Sequence, residues 1–330
     1  MREKQTKFDV IAKKALAEYK VNEPRLTFIR HSDNVTYKVK TANADTYLLR
    51  IHEPITSAMG IHGTNYDMVN AEVMWLSALE QETNLTLQKP IKNKDGRLVT
   101  QISQKENTTL NCTLLDWVEG EPYHRDLESE QTSYQIGVTL ATLHNHASRW
   151  KKPEGFSRPN RDISYFENML KGLLPAVKDG RISMSNYAEL SKSVSILIEM
   201  MKELDESTTF YGIIHADPHK GNMLYHEGKI RLIDFSFCAF GNYMFDLGIC
   251  LGDMKEELHW FCLEGYRSLR ELPINYQQLI EGFFLGSMVG TFSFWVSNPL
   301  AQEIFAKKVP QITRDFAIKF NQSEHFWFSP

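Results

Sequence analysis

Apolar residues in the first 117 positions recur mostly at strand spacing, and beyond them mostly at helix spacing. Phe8, Ile11, Ala15, Leu16 and Tyr19 share one face of a helix expected over residues 8–20. Three β-like runs follow, Leu26–Arg30, Val35–Val39 and Tyr47–Ile51, and the polar segments His31-Ser32-Asp33-Asn34 and Thr41–Asp45 between them read as hairpin turns. Val69, Val73, Leu76 and Leu79 mark a helix over 65–82. Two more strands are expected near Leu98–Ile102 and Thr109–Trp117.

After Val118-Glu119-Gly120-Glu121-Pro122 the helical period takes over, at 128–149 (Ile136, Leu140, Leu143), 186–206, 257–270, 276–296 and 300–319. The pattern predicts one β-like interruption, Asn222–Tyr225 and Lys229–Ile233, turning at Glu227-Gly228. The expected chain is α+β. A small β-rich lobe with one long helix spans 1–117, and a larger helical lobe spans 118–330 beyond a one-strand hinge. No internal repeat or low-complexity linker interrupts it. The run Gly282–Val296 is strongly apolar but shorter than the roughly 20 residues of a membrane span. It also carries Ser287, Thr291 and Ser293, so a buried core helix is expected and no membrane partner.

Composition changes this picture little. The chain of 330 residues has a formal net charge of -4, and without a basic surplus no nucleic-acid partner is expected. Cys112, Cys238, Cys250 and Cys262 form no C-x-x-C pair, which argues against zinc and for buried free thiols in a reducing cytoplasm. The start, Met1-Arg2-Glu3-Lys4, runs into a charged helix and carries no secretory pattern, so the expected location is cytoplasmic.

The chemistry concentrates in His215-Ala216-Asp217-Pro218-His219-Lys220-Gly221-Asn222, followed by Ile233-Asp234-Phe235. The first stretch reads H-x-D-x-x-x-x-N, the spacing of a phosphoryl-transfer catalytic loop. The second places an acid at the end of a short apolar strand. Transfer from ATP needs a carboxylate at the attacking hydroxyl and oxygen ligands for Mg²⁺. Asp217 suits the first task, and Asn222 and Asp234 suit the second. The motif alone also occurs by chance in loops; the strand ending in Asp234-Phe235 behind it sets it apart.

Here the sequence resembles the aminoglycoside phosphotransferase/choline kinase branch of the protein-kinase-like fold. The resemblance runs by motif from Asn34 to about residue 255. His31–Val39 resembles the nucleotide-covering hairpin and Leu48-Leu49-Arg50-Ile51 the strand with the phosphate-binding cation. Ala71-Glu72-Val73-Met74-Trp75-Leu76 resembles the helix with its acidic partner, Thr113–Gly120 the hinge, and Gly137–His144 the first helix of the large lobe. The resemblance implies a bilobal fold. It implies that Arg50 meets the α/β-phosphates, that Glu72 fixes Arg50, and that backbone groups of Asp116 and Val118 hold the adenine edge. Phe245-Asp246-Leu247-Gly248 looks like the element whose acid braces the catalytic loop, and His215 like an orienter of that loop. Taken singly, Arg50 also reads as a strand-end surface charge, Glu72 as a solvated helix face and Asp246 as a helix N-cap. Lys220 reads as a phosphate contact or a solvent-facing lysine, His144 and His146 as helix-surface or packing residues, and His219 stays open.

The chain also departs from protein kinases. The hairpin lacks G-x-G-x-x-G, leaving backbone donors or the Ser32 hydroxyl to grip phosphate. Ser236 follows Asp234-Phe235 where a glycine would stand. Only eleven residues separate Asp234 from Asp246, and no A-P-E occurs, which leaves little room for an activation segment. The resemblance therefore implies an ATP- and Mg²⁺-dependent kinase acting on a hydroxyl of a small molecule. Its acceptor would be aminoglycoside-, homoserine- or choline-like; Asp234 through Leu251 also looks like homoserine kinases of this superfamily. A Ser/Thr protein kinase and a non-catalytic ATP-binding module stay open as alternatives. The acceptor is expected between the catalytic loop and the C-terminal helices, with Trp260, Tyr266, Phe292, Trp295 and Trp327 as candidate lining, although an aromatic at helical spacing is more often core. The tail His325-Phe326-Trp327-Phe328 is expected on the large lobe or on a partner chain, which leaves a homodimer open.

Overall fold

The computed structural model describes residues 2–32, 34–54, 64–104, 108–204 and 209–328, and side chains from Lys7 onward. Met1, Asp33 of the predicted hairpin and positions 205–206 of the helix predicted over 186–206 lie outside the described residues. The chain is α+β and divides into two compact units. The first is Met1–Gly120 together with Lys152–Arg158 and Ile233–Ser236; the second comprises Glu121–Lys151, Pro159–Leu232 and Phe237–Pro330.

In the first unit, α1 (Arg2–Ala17) precedes a hairpin of β1 (Arg25–His31) and β2 (Val35–Lys40), then β3 (Thr46–Ile51), α2 (Tyr66–Glu82), β4 (Pro90–Ile91), β5 (Thr100–Ser103) and β6 (Thr109–Asp116). The sheet is antiparallel in the order β1-β2-β3-β6-β4, with β5 also on β6. Strand alternation decides which side chain goes to which face. Leu49 and Ile51 of β3 and Cys112 and Leu114 of β6 pack with Phe8, Ile11, Ala15 and Leu16 of α1. Leu48 and Leu115 face the other way, onto Val69 and Val73 of α2. Arg50, in phase with Leu48, is thereby turned toward α2. Register shifts between Phe28 and Arg30, a bulge that re-aims the end of β1.

The second unit contains β7 (Glu121–Pro122), α3 (Glu130–Arg149), α4 (Ile163–Lys171), α5 (Leu174–Lys178), α6 (Met184–Glu203), β8 (Tyr211–Ile214), β9 (Met223–His226), β10 (Lys229–Leu232) and β11 (Ala239–Asn242). Then come α7 (Tyr243–Gly252), α8 (His259–Arg267), α9 (Tyr276–Val296), α10 (Gln302–Ile312) and α11 (Ile318–Asn321). The β9–β10 hairpin turns through Glu227 (φ 48°) and Gly228 (φ 78°), the two left-handed residues of a type I′ turn. It is not the only β structure here, as the pattern had suggested: β7 pairs with β9, and β8 with β11.

The stretch read as one helix over 300–319 is broken. A 3₁₀ turn at Pro299–Ala301 precedes α10, Pro310 sits inside α10 without an N–H to donate, and a π turn follows at Thr313–Ala317. The apolar run Gly282–Val296 lies within the 21-residue α9, the one helix among the described residues long and apolar enough to cross a membrane. It behaves as a core helix: 61% of its apolar window is buried. It also crosses α7 so closely that a Cβ on Gly248 would stand 2.7 Å from the Phe284 backbone nitrogen. All four cysteines are free and buried.

Candidate active site

Each unit carries part of the predicted site. In the first, the Arg50 guanidinium is buried and its Nη2 donates to Glu72 Oε1 at 2.6 Å. The surface readings of Arg50 and Glu72 therefore do not hold: each is only 2% exposed. Arg50 Nη1 stands 3.7 Å from Asp234 Oδ1. On its other oxygen Asp234 meets Arg30, whose Nη2 is 3.3 Å from Oδ2. The Ser236 hydroxyl donates to Asp234 Oδ1 at 2.5 Å, and the buried Gln88 accepts the Asp234 N–H at 3.1 Å. Asp234 itself has φ 64°, a left-handed conformation that costs an L-residue energy and persists only where its surroundings fix it. Phe235 supplies part of that fixation, packing edge-on against Trp75 of α2 at 5.6 Å.

The backbone positions fall unevenly. The Asp116 N–H donates to Lys89 O at 2.8 Å and is committed within the sheet. The Ser32 N–H is likewise turned inward, onto Asn34 O at 3.1 Å, so the hydroxyl is what Ser32 can offer. Val118 is buried two residues past the end of β6.

In the second unit, β8 leads into the His215–Asn222 loop. Asp246 is fully buried and accepts the N–H of His215 on Oδ2 (2.8 Å) and that of Ala216 on Oδ1 (2.7 Å). It does not cap α7; the Asn242 side chain does, accepting the Met244 N–H. Ala216 is left-handed (φ 63°), the second strained position of the chemistry-bearing segments. His215 is buried, and its Nδ1 accepts the Asp217 N–H at 3.2 Å. Asp217 and Asn222 are held together: Asn222 Nδ2 donates to Asp217 Oδ2 at 2.7 Å and to the Asp217 carbonyl at 3.0 Å. With Nδ2 so committed, Oδ1 is the Asn222 atom that suits a cation. His219 Nε2 lies 3.5 Å from Asp217 Oδ2 while its Nδ1 accepts the Gly221 N–H. Lys220 is no solvent-facing lysine. Its ammonium pairs with the buried Glu128, and its backbone N–H donates to Asp253 Oδ2 at 2.8 Å.

Several residues escaped sequence reasoning. His144, expected on the helix surface or in apolar packing, bridges Asp246 Oδ2 (3.1 Å) and the Tyr266 hydroxyl (2.9 Å) and stacks on Tyr243 at 4.4 Å. Desolvation on burial lowers its pKa, more than the bond to Asp246 raises it. A neutral ring donates from Nε2 to the carboxylate and accepts the tyrosine proton at Nδ1. Its position four residues after Leu140, on the buried face of α3, was the available signal. Arg30 and Arg158 gave none, because their partners are remote in sequence. Of the proposed aromatic lining, Tyr266 and Phe292 are core residues with no exposure. Trp327 docks within its own unit, against Phe284 at 4.6 Å and His259 at 5.1 Å, where Glu281 accepts the backbone N–H groups of Phe326 and Trp327.

The second unit thus holds a left-handed loop pinned by a buried acid, and the first a guanidinium–carboxylate pair beside a second acid. The sequence profile of the phosphotransferase enzyme family matches residues 25–272, and the chain belongs to that family. It is an enzyme, a kinase of a family that acts on small molecules. Amicoumacin kinase of Bacillus subtilis (strain 168) is 23% identical over 284 residues, covering 82% of this chain and 79% of that one. The solved structure of a microcompartment-associated aminopropanol kinase superposes with a TM-score of 0.78 at 24% identity, covering 95% of this chain and 98% of the other. An amicoumacin kinase in complex with AMP-PNP, Ca²⁺ and Ami superposes with a TM-score of 0.75 at 20% identity, covering 98% of this chain and 95% of the other. These likenesses give the protein-kinase-like fold of the family.

Proposed function

We propose that this kinase moves the γ-phosphoryl group of ATP to a hydroxyl of a small molecule, with Asp217 as the base, and that amino alcohols are the acceptors to test first. The acceptor oxygen attacks phosphorus, the bond from phosphorus to the β–γ bridging oxygen breaks, ADP leaves, and the hydroxyl proton passes to the Asp217 carboxylate. The observation that carries the reading is the Asp217–Asn222 pair, joined at 2.7 Å on a loop whose two preceding N–H groups are fixed by the buried Asp246. A carboxylate held that firmly needs little reorganisation when the substrate arrives.

The remaining residues take supporting roles. Arg50, oriented by Glu72, faces the α/β-phosphates. The Ser32 hydroxyl covers them, and the Asp116 carbonyl and Val118 N–H hold the adenine edge. His215 and Asp246 keep the loop in shape. Asp234 and Asn222 Oδ1 are each the hard oxygen donor that Mg²⁺ prefers, and the ion, when bound, would offset phosphate charge. The guanidiniums of Arg30 and Arg50 beside Asp234 fit a place where phosphate oxygens and a metal meet. Support for an amino alcohol comes from the resemblance of Asp234–Leu251 to homoserine kinases and from the aminopropanol kinase among the structural neighbours.

Calorimetric titration with Mg-ATP, run beside turnover, tests the roles. Asp217→Asn is expected to bind Mg-ATP within about threefold of wild type while turnover falls by about 10²–10⁴. Asp234→Ala is expected to lose tight Mg-ATP binding. Wild-type turnover in Asp217→Asn would refute the assignment.

A further inference from the structure

Arg158 lies in a short segment, Lys152–Arg158, that belongs to the first unit although the chain on both sides of it belongs to the second. Its side chain is 5% exposed. The guanidinium forks onto two main-chain carbonyls: Nη1 donates to Met68 O at 2.8 Å and Nη2 to Ser236 O at 2.6 Å. Met68 is in the first turn of α2, so its carbonyl is also the helical acceptor for the N–H of Glu72, four residues on. Ser236 is two residues past Asp234 and holds the Asp234 carboxylate with its hydroxyl.

These contacts close a ring. From the Glu72 carboxylate it runs to Arg50, to Asp234, to Ser236, to Arg158, to Met68, and back along one turn of α2 to Glu72. Arg50 spans one side of the ring by side chain, and Arg158 spans the other by clamping backbone. We propose that Arg158 is a positioning residue for the metal-binding acid: it sets where the left-handed turn at Asp234 stands relative to the Arg50–Glu72 pair. The proposal rests on the reading of Asp234 as a metal ligand. The turn needs such an outside clamp, because a left-handed aspartate is held by its neighbours and not by its own preference. A guanidinium's planar fork holds two carbonyls of different segments at a fixed spacing. A lysine ammonium has three donors on one rotatable nitrogen and fixes no such spacing. A displacement of about 1 Å at a ligand is enough to cost about 10²-fold in function.

The test is binding of AMP-PNP to the full chain, by calorimetry in EDTA and again in saturating Mg²⁺, for wild type, Arg158→Lys, Arg158→Met and Asp234→Ala. A purely structural loss would weaken the nucleotide equally in both conditions. A lost positioning role weakens only the gain that Mg²⁺ brings. The expected result for Arg158→Met is an EDTA affinity within about twofold of wild type and a Mg²⁺ enhancement reduced about tenfold, with Arg158→Lys in between. Should Arg158→Met not fold, Arg158→Lys decides, with a several-fold loss of the enhancement expected. A Mg²⁺ enhancement equal to wild type in either folded variant, while Asp234→Ala loses it, overturns the role of Arg158 alone. No Mg²⁺ enhancement in wild type overturns the metal reading of Asp234, and this inference with it.

Discussion

Asp246 holds the backbone of the loop that carries Asp217. Its carboxylate, with no solvent exposure, accepts two backbone N–H groups and faces the His144 ring. An amide in its place would present a donor to another donor, and an alanine would strand both N–H groups in a dry interior. Asp246→Ala is expected to cost about 3–5 kcal/mol by chemical denaturation and to lower turnover even where the protein stays folded; stability within 1 kcal/mol of wild type would contradict this. Asp217, Asn222, Asp234, Arg50 and Glu72 were visible in the sequence as candidates, by residue type and spacing. Arg158 was not, because its partners are carbonyls, which every residue has. His144 was half-readable: its helical phase places it inside, but only the fold brings Asp246 and Tyr266 to its two nitrogens.

Helices and strands were legible where apolar spacing was regular and lost where it was not. The strands β1, β2 and β3 and the helices α2, α3 and α9 fall within a few residues of their predicted bounds. Helix α7 is nearly all buried, so it carries no polar face to betray a period, and β8 and β11 are four-residue strands too short to show one. The apolar spacing of 300–319 persists through Pro310 and the π turn, which is why it read as one helix. Glycines in α3 and α8 gain meaning only in the fold. A Cβ on Gly265 would stand 1.9 Å from the Tyr134 carbonyl oxygen, and one on Gly137 the same distance from that of Cys262. The two helices meet backbone to backbone through these notches. Gly265→Ala must push α8 away from α3, and a loss of about 1–3 kcal/mol is expected from overpacking; a neutral or stabilising change in thermal melting would show that the contact is looser than this.

At the scale of the whole molecule, three buried histidines tie stability to pH. His52 is held well below its ordinary pKa by desolvation and then by the charges of Arg50 and Arg158; burial likewise lowers His144 and His259. With their pKa values lowered in the fold, all three take up protons on unfolding as pH falls through about 6.5. The unfolded chain then binds more protons than the folded one, so stability is fully present above that pH and falls as pH drops toward the lowered folded values. The melting temperature is expected to decline from pH 7 to pH 5, and a flat profile would count against neutral buried rings. Phosphorylation of a small hydroxyl compound through Asp217 is to be measured as Mg²⁺-dependent ADP release across homoserine, aminopropanol, choline, aminoglycosides and a protein extract, with ³¹P spectra of the products and Asp217→Asn alongside. One small acceptor is expected to raise ADP release in wild type and not in Asp217→Asn, with a new phosphate-ester signal on that acceptor. Phosphate appearing only in the protein extract, or equal ADP release from both proteins, would contradict it.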